Sequence, residues 1–192
     1  VAPRWTITES PFFMAGSVGL DNRALLPPFF PVQFNQDGSS VAMIGAEHSP
    51  GMETMTGSLG QRVSQAAGVA MARKRNGETG RCFLFMSDGE FQIGQTWEAI
   101  QAMAFHRLDN MAIYADVNGF QCDGAMHTVM NIEPLDKRLS AFGCRVLRIN
   151  GHDIDRLAKA AAPKSDGRPL VVLCDTDACR GIKVLQQRVP KM

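Results

Sequence analysis

The chain has 192 residues, of which 45% are hydrophobic and 20% are charged, and its formal net charge is +1. A chain of this size and composition can bury the core of one globular domain, with at most a small appendage. The near-neutral charge argues against nucleic acid or an anionic membrane as a partner. The sequence contains no apolar run of about 18 residues, so it predicts no transmembrane helix.

Residues 1–50 form a segment rich in Pro and Phe, without a regular hydrophobic period. The stretch LLPPFFPVQF holds too many prolines for a helix or a central strand, so we predict irregular, extended structure. The phenylalanines of this segment either close one end of the core or contact another chain, and the sequence favours neither reading. Residues 51–192 are predicted to form the α/β domain.

Helices and strands alternate along this domain. Apolar residues at helical spacing predict a first helix over residues 59–75. Apolar runs predict strands at residues 82–86, 111–115, 144–149 and 170–175, and helices are predicted at 94–106, 135–142 and 153–162. Strands that are apolar throughout and alternate with helices indicate a parallel sheet covered by helices on both faces.

Two of the predicted strands end in polar residues, Ser87-Asp88-Gly89-Glu90 and Asp116-Val117-Asn118-Gly119. Ligands of open parallel sheets bind beyond the carboxyl ends of the strands, where both junctions should lie. A carboxylate, an amide oxygen and a backbone carbonyl would give Mg²⁺ three oxygen ligands, and a diphosphate and water would complete its shell. Ordinary turns also use Asp-Gly and Asn-Gly, so the junctions alone fit either a cation site or two turns.

Five cysteines are present, and they include no CxxC pair. Three of them lie in apolar, strand-like contexts, which favours reduced, structural thiols in a cytoplasmic protein over the alternative of a metal or redox role. The N-terminus lacks the charged-then-apolar layout of a secretory signal peptide, and the sequence begins with Val1 rather than Met.

The segment SDGEFQIGQTWEAIQAMAFHRLDNMAIYADVNGFQCDG resembles the thiamine diphosphate signature of transketolases, a Gly-Asp-Gly followed at a distance by an Asn and an Asp-Gly. METMTGSLGQ and EPLDKRLSAFGCRVLRINGHDIDRL are similar to two further transketolase segments. The resemblance covers about residues 50–176. It implies the N-terminal, thiamine diphosphate-binding fold of this family, with thiamine diphosphate and Mg²⁺ as cofactors.

By this resemblance, the side chains of Asp88 and Asn118 and the carbonyl of Phe120 would bind Mg²⁺. Leu59 and Cys122 would pack on the thiamine. The full set of implied cofactor contacts is Gly57, Ser58, Leu59, Ser87, Asp88, Gly89, Glu90, Asn118, Phe120 and Cys122.

Two residues are implied for catalysis, His48 and Glu98. Glu98 matches a family glutamate near the subunit interface, whereas His48 either contacts the substrate or is a solvent-facing loop residue. The chain also departs from the family pattern. Ser87 replaces the first glycine of Gly-Asp-Gly, and Ile93 replaces an acidic residue that links paired active sites. Arg180 stands where the family has a lysine-rich turn.

A chain of 192 residues has no room for the family's pyrimidine-binding domain, whose glutamate activates the cofactor. The resemblance therefore implies one subunit of a split, transketolase-like enzyme, in which a C-terminal subunit supplies that domain within a heterodimer or heterotetramer. The pair would transfer a two-carbon ketol unit from a ketose donor to a small-molecule or carrier-bound acceptor, in specialised biosynthesis. The alternatives are a non-catalytic assembly or regulatory subunit, and an ordinary nucleotide-binding domain without the usual glycine motifs.

Overall fold

The computed structural model describes residues 17–20, 54–55, 58–162 and 164–187. Its strands are β1 (Ser17–Leu20), β2 (Thr54–Met55), β3 (Cys82–Ser87), β4 (Met111–Val117), β5 (Phe120–Gln121), β6 (Gly124–Ala125), β7 (Arg145–Asn150) and β8 (Leu170–Asp175). Its helices are α1 (Gln61–Arg75), α2 (Gly94–Phe105), α3 (Met126–Val129), α4 (Leu135–Ala141), α5 (Ile154–Ala160) and α6 (Lys183–Gln186). A 3-10 helix, Asp88–Gln92, joins β3 to α2.

Within the described residues, six strands form one sheet in the order β2-β1-β3-β4-β8-β7. Strands β3, β4, β8 and β7 run parallel to their neighbours, which confirms the predicted parallel sheet. Strands β1 and β2 add an antiparallel edge that was not predicted, and β1 lies in the segment for which only irregular structure was expected. Its pairing with β3, rather than any pattern of its own, defines it as a strand.

Helices cover both faces of the parallel strands, as predicted. On one face, residues of α1, α2 and α4 pack with Leu84 and Met86 of β3 in the larger core cluster. On the other face, Leu157 of α5 packs with Phe83 of β3 and Tyr114 of β4. Successive residues of β3 therefore face opposite cores, and most residues of β3, β4 and β8 are buried.

The largest differences from the predicted boundaries concern short elements and strand ends. Helices α3 and α6 have four residues each and were not predicted, because a single turn shows no hydrophobic period. Strand β4 continues to Val117, beyond its predicted end at residue 115, and this extension places Asp116 in the sheet. No helix of the described residues is long and apolar enough to cross a membrane.

The five cysteines divide into buried and accessible thiols, and all five are free. Burial raises the pKa of Cys82 to about 11, and that of Cys144 and Cys174 to about 12. Because only the thiolate reacts, we expect iodoacetamide at pH 8 to modify Cys122 and Cys179 in the folded protein and the other three only after unfolding. Mass spectrometry with and without guanidinium measures this, and rapid labelling of Cys144 in the folded protein would contradict it.

Candidate functional site

The two polar junctions meet at the carboxyl edge of the sheet. In the parallel register of β3 and β4, Ser87 pairs with Asp116, so the residues that follow each strand are neighbours. The backbone N–H of Gly119 donates a hydrogen bond to Asp88 Oδ2 over 3.1 Å. The structure thus brings together Asp88 and the turn that carries Asn118.

Asp88 is a buried carboxylate, and one of its two oxygens has no hydrogen-bond donor among the described residues. Its relative exposure is 1%, and Oδ1 accepts no hydrogen bond from any residue that the structure describes. Burial raises the pKa of Asp88 to about 6, against the opposing effect of backbone N–H groups, Gly119 foremost. A cation beside Oδ1 would offset the burial and favour the charged form. The donor set therefore fits a divalent cation.

Asn118 is held in one orientation by its neighbours. Its Nδ2 donates to Asp116 Oδ2 over 2.8 Å, and its Oδ1 accepts from the backbone N–H of Phe120, also over 2.8 Å. Because a carboxylate can only accept, the amide nitrogen must face Asp116 and the amide oxygen must face away from it. A carbonyl oxygen has two lone pairs, so Oδ1 retains the capacity to bind a cation.

Gly119 forms the turn that places Phe120. Its φ of 74° lies in the left-handed region, which a side chain would strain. The turn leads into the small hairpin of β5 and β6, where Phe120 pairs with Ala125. The side chain of Phe120 is 39% exposed, and its predicted function requires only the backbone carbonyl.

Gly89 is buried, but a side chain could be added to it without a clash. A Cβ at this position would lie 3.9 Å from Ser87 Oγ and 4.0 Å from Gln121, which is ordinary contact. Packing among the described residues does not demand a glycine here, and the close approach of a diphosphate to Gly89 stays a prediction. The sequence interpretation did not include Gln121, because a polar residue in a hairpin carries no distinctive signal.

Glu90 lies in the interior and contacts the start of α1. It is fully buried, its Oε2 accepts from the backbone N–H of Gly60 over 2.7 Å, and its Oε1 lies 3.4 Å from Arg62 Nη1. The Glu90 carboxylate therefore links the 3-10 helix to the start of α1 through a hydrogen bond and an ion pair. This contact was not predicted, and the role of Glu90 as a cofactor ligand stays a prediction.

The loop before α1 presents Leu59 to the outside. Leu59 is 47% exposed, Ser58 is also exposed, and Gly57 lies outside the described residues. Gly60 has a φ of 87°, and a Cβ on it would lie 2.6 Å from Ile93 Cγ2. The residue that departs from the family pattern, Ile93, thus packs directly beneath this loop.

The other predicted residues are more scattered. Glu98 is exposed on α2, Cys122 is exposed in the β5–β6 hairpin, and His48 lies outside the described residues. Arg180 is exposed after β8. The part of the chain that the structure describes holds no cluster of three or more His, Cys, Asp or Glu side chains arranged for a metal ion. A cation at this edge would therefore need amide, carbonyl and non-protein ligands as well as Asp88.

Asp116 and Thr176 are the main additions to the predicted site. Asp116 Oδ1 accepts from Thr176 Oγ1, and the backbone N–H of Thr176 donates to Val117 O over 3.1 Å. An Asp at the end of an apolar strand is the signal that could have identified the first of these residues. Thr176 carries no such signal, because only the sheet order brings the end of β8 beside β4.

The comparisons with known proteins agree on one family. The family model described as transketolase, thiamine diphosphate binding domain, matches residues 33–187. A transketolase family protein of Sinorhizobium fredii is 39% identical over 159 residues, which cover 81% of this chain and 57% of that protein.

Two similar proteins are named as parts of larger enzymes. One component of an apulose-4-phosphate transketolase from Actinobacillus succinogenes is 34% identical over 73% of this chain and 51% of its own length. One component of a 6-deoxy-6-sulfo-D-fructose transketolase from a Clostridium species is 31% identical over 81% of this chain and 59% of its own length. The chain spans about half the length of these curated relatives.

A solved structure shows the same fold. The transketolase of Campylobacter jejuni superposes with a TM-score of 0.62 at 32% identity, over 67% of this chain and 21% of that chain. Its likeness agrees with the order of helices and parallel strands described above.

Proposed function

This chain belongs to the transketolase family, and it matches the thiamine diphosphate-binding domain of that family. We propose that it is the diphosphate-binding subunit of a two-component, transketolase-like transferase. One observation of the structure carries the proposal. The buried Asp88 keeps an unsatisfied oxygen at the sheet edge, immediately beside the turn of Asn118. A subunit that served assembly alone would gain nothing from a buried carboxylate without a partner for its charge.

In this proposal, the chain holds the charged end of thiamine diphosphate. Asp88 and Asn118 bind Mg²⁺ by side-chain oxygens and Phe120 binds it by its carbonyl, while the backbone at Gly89 borders the diphosphate. Leu59 and Cys122, both exposed near this edge, supply apolar contacts to the thiamine. When bound, thiamine diphosphate supplies the nucleophilic carbon needed to move a two-carbon ketol unit.

The second component of the proposed enzyme contributes the pyrimidine-binding domain and its glutamate. The relatives named as transketolase subunits support a separate partner, and the heterodimer or heterotetramer is part of the proposal. Their names refer to ketoses that carry a phosphate or a sulfonate, which supports a ketose-type donor. Glu98, exposed on α2, is available to an adjoining subunit, as the resemblance implies.

The proposal predicts a stoichiometric partner that carries cofactor. We expect the tagged chain, purified from its native host, to bring with it a protein of the C-terminal transketolase type, together with thiamine diphosphate and Mg²⁺. Mass spectrometry of the complex identifies both. Recovery of the chain in a complex that binds no cofactor, even after Mg²⁺ and thiamine diphosphate are added, would instead indicate a non-catalytic assembly subunit.

A further inference from the structure

We propose that Asp116 is a positioning residue of the cation site, which fixes the amide of Asn118 so that its oxygen faces Mg²⁺. This inference rests on the proposed function. Its basis is the hydrogen-bond arrangement around one half-buried carboxylate at the end of β4. Nothing in the family signature described above assigns a role to this residue.

Both oxygens of Asp116 are already engaged by donors from different segments. Oδ2 accepts from Asn118 Nδ2 over 2.8 Å, and Oδ1 accepts from the hydroxyl of Thr176. The backbone N–H of Thr176 also donates to Val117 O, so the hydroxyl is held in place beside β4. Asp116 therefore acts as an acceptor between two strand ends rather than as a ligand.

This arrangement permits only one orientation of the Asn118 amide. The carboxylate of Asp116 offers no hydrogen, so turning the amide over would place two acceptors against each other. The backbone N–H of Phe120, which donates to Asn118 Oδ1 over 2.8 Å, selects the same orientation from the other side. Without Asp116, only the N–H of Phe120 still selects this orientation, and the amide can turn its NH₂ group towards the cation more readily, which would weaken cation binding.

The chemistry of metal sites gives the expected size of the effect. Replacement of a residue that orients a metal ligand usually lowers metal affinity by about 10- to 100-fold. An Asn at position 116 can still accept from Asn118 Nδ2 through its side-chain oxygen, while its own NH₂ group donates to Thr176 Oγ1. D116N therefore keeps the orientation and loses the charge, whereas D116A loses both.

The test measures, by calorimetry, how thiamine diphosphate binding depends on Mg²⁺ concentration in the complex recovered from the native host. We expect D116A to raise the Mg²⁺ concentration for half-saturation by about 10- to 100-fold, and D116N to change it by less than about threefold. T176V, which removes the hydroxyl donor, should give a smaller rise in the same direction. The matched control is D175A, because the Asp175 carboxylate at the end of β8 pairs with Arg148 and not with Asn118.

Each outcome decides a separate question. If the wild-type complex shows no Mg²⁺-dependent binding, the proposed function fails. If it binds but folded D116A matches it within about twofold, Asp116 has no positioning role. Equal losses in D116A and D116N would assign the effect to charge rather than to orientation and would also overturn the inference. Should D116A fail to fold, T176V decides, and a wild-type titration curve for T176V overturns the inference.

Discussion

Replacement of Asp88 by Ala should abolish Mg²⁺-dependent binding of thiamine diphosphate and the transferase activity of the assembled enzyme. Asp88 is the one charged ligand in the proposed set. Its Oδ1 is buried at the sheet edge and accepts no hydrogen bond from the described residues. Loss of a residue that only orients a ligand costs about 10- to 100-fold in metal affinity, so loss of this ligand should exceed about 100-fold. Calorimetry on the purified complex measures the binding.

D88N separates loss of the ligand charge from unfolding. The pKa of Asp88 in the folded protein, about 6, is higher than its ordinary value of 3.8, because burial favours the neutral carboxyl. The contribution of Asp88 to stability is therefore fully present below about pH 4, and it is lost as the pH rises through 6 and the carboxyl becomes charged. A shift of about two pKa units corresponds to about 3 kcal/mol. Without cofactor, D88N should therefore be more stable than the wild type at pH 8, by up to about 3 kcal/mol, and the difference should vanish towards pH 4. Tight cofactor binding by a stable D88N variant would contradict the assignment.

Replacement of Glu90 by Ala should lower the stability of the fold more than any other substitution proposed above. Glu90 is fully buried, accepts from the N–H of Gly60, and pairs with Arg62, whose side chain is only 8% exposed. Removing one member of a buried ion pair costs about 3–5 kcal/mol, and E90A also removes the acceptor of the Gly60 N–H. We expect a decrease of that size in the free energy of unfolding, measured by urea titration.

Two variants control this experiment. E90Q keeps an acceptor for Gly60 and loses the charge, so its decrease in stability should be smaller than that of E90A. E78A removes a carboxylate from an ion pair of similar length, 3.3 Å to Arg73, but Glu78 is 43% exposed. An exposed pair contributes at most about 1 kcal/mol, so E78A should be nearly neutral. An E90A decrease no larger than that of E78A would show that the buried pair does not stabilise the fold.

The sequence predicted the parallel part of the fold because its signals are local. Strands β3, β4 and β8 are nearly continuous apolar runs, and Asp-Gly and Asn-Gly interrupt the first two where the structure ends them. The carboxyl ends of parallel strands share one edge of a sheet, and this rule is enough to place both junctions together.

What the sequence did not predict depends on contacts between distant residues. Glu90 was predicted only as a cofactor contact, and its contacts with Gly60 and Arg62 exist because the fold brings these distant residues to it. Strand β1 exists through its pairing with β3, and the engagement of Asp116 by Thr176 requires β8 to lie beside β4. The predicted roles of His48 and Gly57 lie outside the described residues and stay predictions.

The strand order has a consequence for how the protein is made. Among the described residues, β8 is the parallel strand that comes last in sequence, yet it lies between β4 and β7, and its Leu170 pairs with residues of both. On the ribosome, β4 and β7 therefore emerge before the strand that must separate them. Thr176, which engages Asp116, emerges later still. The proposed cation site, with Asp116 engaged by Thr176, would therefore be complete only after β8 and Thr176 have been translated.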